Sequence, residues 1–141
     1  MMSTDATSGR SANRVRPDDP VKMIMSSPVA TVDSGSSVLD AATELVADET
    51  GAVLVTGAGA PGLLSERDVV TLVGTGADLA SLQVGDVMTE DLVWARPDDT
   101  VASVAERMLE AEVRHLPVGD GRRVVGIVSL RDLTAVLVAA I

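Results

Sequence analysis

Gly62-Leu63-Leu64-Ser65-Glu66-Arg67-Asp68 returns near the end of the chain as Gly126-Ile127-Val128-Ser129-Leu130-Arg131-Asp132. Gly, Ser, Arg and Asp stand at matching places, and two further positions exchange one aliphatic residue for another. The offset is 64 here and 63 upstream, where Val21 falls on Val84, Met25 on Met88, Val38 on Val101, Ala42 on Ala105, Glu49 on Glu112 and Val55 on Val118. One inserted residue reconciles the two offsets. Self-similarity at a fixed period means that one supersecondary unit is built twice.

The periodicity inside each copy agrees. Val38, Ala41, Ala42, Leu45 and Val46 fall on one face of a helix, and Val101, Val104, Ala105, Met108 and Leu109 repeat the pattern. Ser36/Ser37 with Asp40, and Asp99/Thr100, are suited to cap these helices. Short apolar runs flank them: Val29–Val32 and Val93–Ala95 before, Ala52–Val55 and Leu116–Val118 after. Gly62–Leu64 and Val124–Val128 read as third strands, reached through hairpin turns at Gly57–Pro61 and Gly119–Arg122 and followed by a second helix. Each copy is thus βαββα, and the fold class is α/β (α+β). Residues 1–20 read as a disordered tail, 21–76 as the first repeat, 77–83 as a linker and 84–141 as the second repeat.

Composition narrows the function. The 141 residues are 46% hydrophobic with one Trp and neither Phe nor Tyr, so Val, Leu, Ile, Met and Ala must build the core. The net charge of −10 repels a phosphate backbone, and base stacking has only Trp94 to use, which argues against a nucleic-acid partner. There is no cysteine and a single histidine, His115, which leaves no metal-ligand cluster and few groups for acid–base catalysis. No apolar run is long enough for a membrane span and no signal-peptide pattern opens the chain, so a cytoplasmic protein is expected.

The doubled βαββα unit, with Met25-Ser26 and Met88-Thr89 before the first strands and the two Gly-to-Asp stretches at the third, resembles a CBS-domain pair, or Bateman module. Val113-Arg114-His115-Leu116-Pro117-Val118 carries the same likeness. The resemblance implies two repeats packed sheet to sheet as a pseudo-twofold pair, with two clefts for adenosine-containing effectors: AMP, ADP, ATP, S-adenosylmethionine or NAD. No tightly bound cofactor and no catalytic residue is implied. In such pairs one cleft takes its Ser and Asp from one repeat and its base pocket from the other. One cleft would then join Ser65, Arg67 and Asp68 to Val93, Arg114, His115 and Pro117; the other would join Ser129, Arg131 and Asp132 to Ala30, Gly51 and Ala52. The first copy has Gly51-Ala52-Val53-Leu54 where the second has Arg114-His115-Leu116-Pro117, so equal occupancy of the clefts is not expected.

Other readings compete with these. Ser65 with Asp68, and Ser129 with Asp132, form a capping box as readily as a ligand site; Arg67 and Arg131 are what capping leaves unexplained. Gly57-Ala58-Gly59-Ala60-Pro61-Gly62 matches a dinucleotide fingerprint, but a strand follows it where a helix is required. It reads as a hairpin loop. Beyond Asp132 the last helix carries no charge, and apolar residues including Val136 cover every side, which points to a homodimer interface. The whole reads as a regulatory module that senses an adenosyl ligand and signals to a regulated partner protein. A scaffold with empty clefts is the alternative.

Overall fold

The computed structural model describes residues 14–141. In the first repeat, β1 (Thr31–Asp33) runs parallel to β2 (Ala52–Thr56), which turns back antiparallel to β3 (Gly62–Ser65). Helix α1 (Val38–Ala47) joins β1 to β2 and is capped by the Ser37 hydroxyl, which accepts the Asp40 N–H at 3.0 Å. It buries Val38, Ala41 and Leu45, the face that the spacing predicts. Helix α2 (Glu66–Gly74) follows β3 without a break. In the second repeat, after the short α3 (Val84–Val87), helix α4 (Val101–Ala111) buries Val101, Val104, Ala105 and Met108. Strands β4 (His115–Gly119) and β5 (Val124–Ser129) form a hairpin, and α5 (Leu130–Ala139) ends the chain. The strand expected over Val93–Ala95 is reduced to one parallel bridge, Ala95 to Val118. Pro97, two residues on, has no N–H with which to extend the ladder.

The leading segments are exchanged between the repeats. A 3-10 helix over Val21–Met23 leaves the first repeat and docks on the second: Val21 donates its N–H to Asp99 O at 2.7 Å and Lys22 to Pro97 O at 3.1 Å. The Val21 side chain is fully buried beside Val101, Val104, Leu116 and Leu133. Reciprocally, Val84 donates to Ser36 O and Gly85 to Ser34 O, both at 2.8 Å, and the Val84 side chain joins Val38, Ala41, Val53 and Leu64 in the first core.

This exchange accounts for the paired Met and Gly of the motif. Ser26 pairs with Ile127 and Thr89 with Leu63, each across the repeats. Met25 thereby lies directly on Gly126 and Met88 on Gly62, where any Cβ would strike the thioether. A third cluster of Leu54, Leu63 and Ile127 fills the joint between the two sheets. The expected pseudo-twofold pair of repeats is therefore present, with each repeat completing the other.

Three sequence expectations are corrected. Residues 14–20 do not behave as a tail: Val101 donates to Asp19 O at 2.9 Å, Ala102 to Pro17 O at 3.0 Å, and Val15 packs on the second core. The Arg14 guanidinium also donates to Ala139 O, at the negative end of α5. The rest of the expected tail, residues 1–13, lies outside the described residues. Residues 77–83 are more than a linker, because Leu82 O and Leu79 O accept the N–H groups of Val38 and Leu39 that open α1. Finally, Val136 on α5 faces the chain's own core with Leu133, and Val138 and Ile141 are the large apolar residues left exposed at this end of the chain. A helix apolar all round can satisfy one face inside its own repeat.

Candidate functional site

Ser65 ends β3, and its extended backbone turns directly into α2. Its hydroxyl accepts the Asp68 N–H at 3.1 Å, and the Asp68 carboxylate accepts the Ser65 N–H at 2.9 Å. The capping box is thus formed, and it uses one oxygen of Asp68. In the second repeat the Ser129 hydroxyl accepts the Asp132 N–H at 3.1 Å, but the return bond is not made, so that helix has half the box.

Ser65, Arg67 and Asp68 open onto a cavity of about 530 Å³. The far wall comes from the second repeat: Val93 in the segment before α4, then Arg114, His115 and Pro117 entering β4. Every residue expected in the first cleft therefore lines one hollow. The hollow is large enough for a small ligand, and the positive end of α2, whose Glu66 and Asp68 N–H groups are already held by Gly51 O and the Ser65 hydroxyl, borders it. Ala52, expected in the other cleft, lies on this floor as well. The sequence reading missed Glu66, Asp91 and Glu112, which also line it. Glu66 sat unremarked inside the quoted Ser-to-Asp stretch. Glu112 follows α4 in the left-handed region (φ 55°), as Glu49 (φ 50°) follows α1. That matched pair of turns was visible only as an aligned acid.

The cleft sets two guanidiniums, Arg67 and Arg114, against the carboxylates of Glu66, Asp68, Asp91 and Glu112. His115 stands in its middle, half-buried. Its ring packs against Gly51, with Nε2 and Cε1 about where a Cβ at that position would need to be. Burial holds its pKa below the usual histidine range, opposed by the charges of Glu66, Asp132 and Asp68 and assisted by Arg114. The imidazole is thus kept neutral near pH 7, able to donate from one nitrogen and accept at the other.

The second expected set is divided between two hollows. Ala30 and Ala52 line a hollow of about 520 Å³ with Glu44, Asp48 and Glu49. Gly51 and Arg131 line a shallower one of about 370 Å³ with Glu49 and Glu66, and Ser129 and Asp132 line neither. The substitution noted in the sequence is the physical reason. Where the first cleft has Arg114 and His115, the second has Gly51 and Ala52, and the ring of His115 occupies the space over Gly51. The charged residues lining the hollow at Ala30 are all acids: Glu44, Asp48 and Glu49. Glu44 is held above the usual carboxyl range by the hydrogen bond to, and the charge of, adjacent Asp48. Among the described residues no group of three or more His, Cys, Asp or Glu could hold a metal ion, and no helix is long and apolar enough to cross a membrane.

Known proteins share this architecture. The chain is 31% identical over 80% of its length to a CBS domain-containing protein of Bacillus subtilis, of which it covers 81%. It spans 29% and 53% of two Arabidopsis thaliana CBS domain-containing proteins that it also matches. Among solved structures, a CBS-domain pair in complex with 5′-methylthioadenosine and S-adenosyl-L-methionine superposes with a TM-score of 0.77 at 27% identity, covering 87% of this chain and 98% of that one. A CBS-domain protein from Pyrobaculum aerophilum complexed with AMP gives a TM-score of 0.74 at 25% identity, covering 86% and 97%. The CBS-domain family model matches twice, over residues 15–74 and 84–139, one match for each half of the internal repeat. The chain belongs to the CBS-domain family, as a tandem pair.

Proposed function

We propose that this CBS pair is a regulatory module, not an enzyme, that binds one adenosine-containing effector in the cleft between α2 and β4 and relays its presence to a regulated protein. The observation that carries the reading is the convergence of Ser65, Arg67 and Asp68 from one repeat with Val93, Arg114, His115 and Pro117 from the other around one cavity. The positive end of α2, the Ser65 hydroxyl and the two guanidiniums suit a phosphate. The second Asp68 oxygen is open to ribose hydroxyls, and Val93, Pro117 and Ala52 offer apolar walls to a base. Relatives whose structures contain AMP, or S-adenosyl-L-methionine with 5′-methylthioadenosine, support the ligand class. Four carboxylates against two guanidiniums favour an effector with one phosphate, or with a cationic centre, over a triphosphate. The second cleft, whose charged residues at Ala30 are all acids, stays weak or empty. A cytoplasmic location belongs to the same reading.

Thermal melts with AMP, S-adenosylmethionine, NAD, ADP and ATP test this. A ligand at a hundredfold excess over its Kd adds about 2.7 kcal/mol to a fold that alone binds it, a visible rise in Tm. AMP or S-adenosylmethionine should shift Tm more than ATP. Asp68→Asn should weaken binding about tenfold, because Asn can still accept the Ser65 N–H but holds ribose hydroxyls less strongly. Asp132→Asn should change little. No shift with any of these ligands at millimolar concentration would leave the empty-cleft scaffold as the better reading.

We infer as well that the module self-associates. Val70 and Val73 on α2 and Val138 on α5 are 68%, 58% and 62% exposed on the pseudo-equivalent second helices of the two repeats. A twofold dimer through these helices would cover them. Because each chain carries −10, association should tighten as salt screens the repulsion. Sedimentation in low and moderate salt reads this out. A monomer in both would exclude the dimer, and an unchanged mass for Val138→Glu would show that another face is used.

A further inference from the structure

At the far end of the same strands from the cleft, the two hairpin turns face each other across a groove of about 630 Å³. One wall is Gly59, Ala60 and Pro61 of the β2–β3 turn; the other is Asp120, Gly121, Arg122 and Arg123 of the β4–β5 turn. The first turn is the glycine-rich stretch that resembled a dinucleotide fingerprint, and the fold leaves it outside the effector cleft. From Gly57 to Pro61 no side chain exceeds a methyl group or a proline ring, so the backbone itself is the surface. A Cβ at Gly59 or Gly121 would meet nothing within 4 Å, which marks open space on both walls. Among the described residues, the N–H groups of Ala58, Gly59 and Ala60 donate to no protein acceptor.

The opposite wall is cationic. Arg122-Arg123 is the one pair of adjacent basic residues in a chain of net charge −10, and both are exposed. Among the described residues the salt bridges are Lys22–Asp98 and Arg107–Asp99, so neither arginine is held in a close ion pair. Asp120 stands on the same wall: one of its oxygens accepts the N–H groups of Arg123 at 2.8 Å and Arg122 at 2.9 Å, and with those bonds the Arg122 charge helps hold its carboxyl below the usual range. Those bonds tighten the turn that carries both exposed arginines.

We propose that this groove is a second binding site, for a small phosphate-bearing anion held between the two guanidiniums and the free amides of the glycine-rich turn. The two halves are complementary. Guanidinium forks supply charge and bidentate geometry, and successive backbone N–H groups in a glycine turn form an anion-binding concavity. The anion is small because a large one would meet the surrounding acidic surface, whereas a compact phosphate sits within a Debye length of the arginine pair. Its position also matters: one wall belongs to each repeat, so the bound anion ties the pair together at the end opposite the effector cleft. Trp94 connects the two ends. Its ring edge packs on Gly119 at the base of the β4–β5 turn, and its neighbour Val93 lines the cleft.

Titration of the whole chain with inorganic pyrophosphate, followed by amide chemical shifts and Trp94 fluorescence, tests the site. Saturable shifts are expected at Gly59, Ala60, Gly121, Arg122 and Arg123, and they should persist in Asp68→Asn. The double variant Arg122→Ala/Arg123→Ala should weaken binding at least about tenfold with Tm unchanged, since both side chains are exposed. Single Gln replacements provide the same comparison should the double variant lose stability. Shifts confined to Ser65–Asp68 and Arg114, equal binding by the arginine variants, or no saturation at millimolar pyrophosphate would each overturn the proposal.

Discussion

Val21→Asp is expected to cost about 4 kcal/mol, a large share of the stability of an ordinary small domain. Val21 has no solvent exposure and packs among Val101, Val104, Leu116 and Leu133, and among the described residues no polar or charged side chain is buried in that core to meet a carboxylate. The introduced acid must take up a proton or drag water into the core, and either route is unfavourable. The same substitution at Val84 should cost as much, because Val84 is equally buried in the first core. The milder Val21→Ala shows which repeat is served. Loss of its methyl groups should raise hydrogen exchange in α4, β4 and β5 and leave α1, β2 and β3 better protected. Faster exchange in α1, β2 and β3 instead would mean that each leading segment stabilises its own repeat, and the exchange would be wrong.

Arg67→Ala combined with Arg114→Ala should lower the affinity for AMP about hundredfold. A charge-assisted hydrogen bond contributes about 1.5 to 3 kcal/mol, so removing each partner costs about tenfold or more. The two arginines approach the cleft from different repeats and both are exposed, so neither loss should touch the core. Remaining positive charge would be confined to the α2 N-terminus, which leaves four carboxylates facing the phosphate. Isothermal titration with AMP and with S-adenosylmethionine separates two versions of the site. A loss for AMP with little change for S-adenosylmethionine locates a phosphate between the guanidiniums. Undiminished AMP binding would show that the phosphate lies elsewhere and would undo the assignment of both arginines.

The internal repeat and its elements were legible in the sequence because they depend on local order, whereas the grouping of residues from both repeats into one cleft came from the resemblance to a CBS-domain pair. Helix periodicity in Val38–Val46 and Val101–Leu109, capping at Ser37 and Thr100, and the Ser-to-Asp motif at each helix start all act over a few residues. Two copies in register made each signal stronger than it would be alone. Tertiary structure decided the rest. No local property of Val21 or Val84 says which core it enters, since a valine of either repeat is equally apolar. The exchange follows from the way Met25 and Met88 must cross to reach Gly126 and Gly62. The inequality of the clefts was half visible, in Gly51-Ala52 against Arg114-His115. That His115 would reach over to Gly51, with Asp132 among the charges acting on it, was not, because that contact spans the interface between the sheets. Residues 14–20 were misjudged for the same reason: their polar composition suits a tail, but Asp19 and Pro17 present carbonyls to the start of α4, more than eighty residues away in the chain. Sequence determines what each segment can form; which surface it completes is settled by the space left when both repeats fold together.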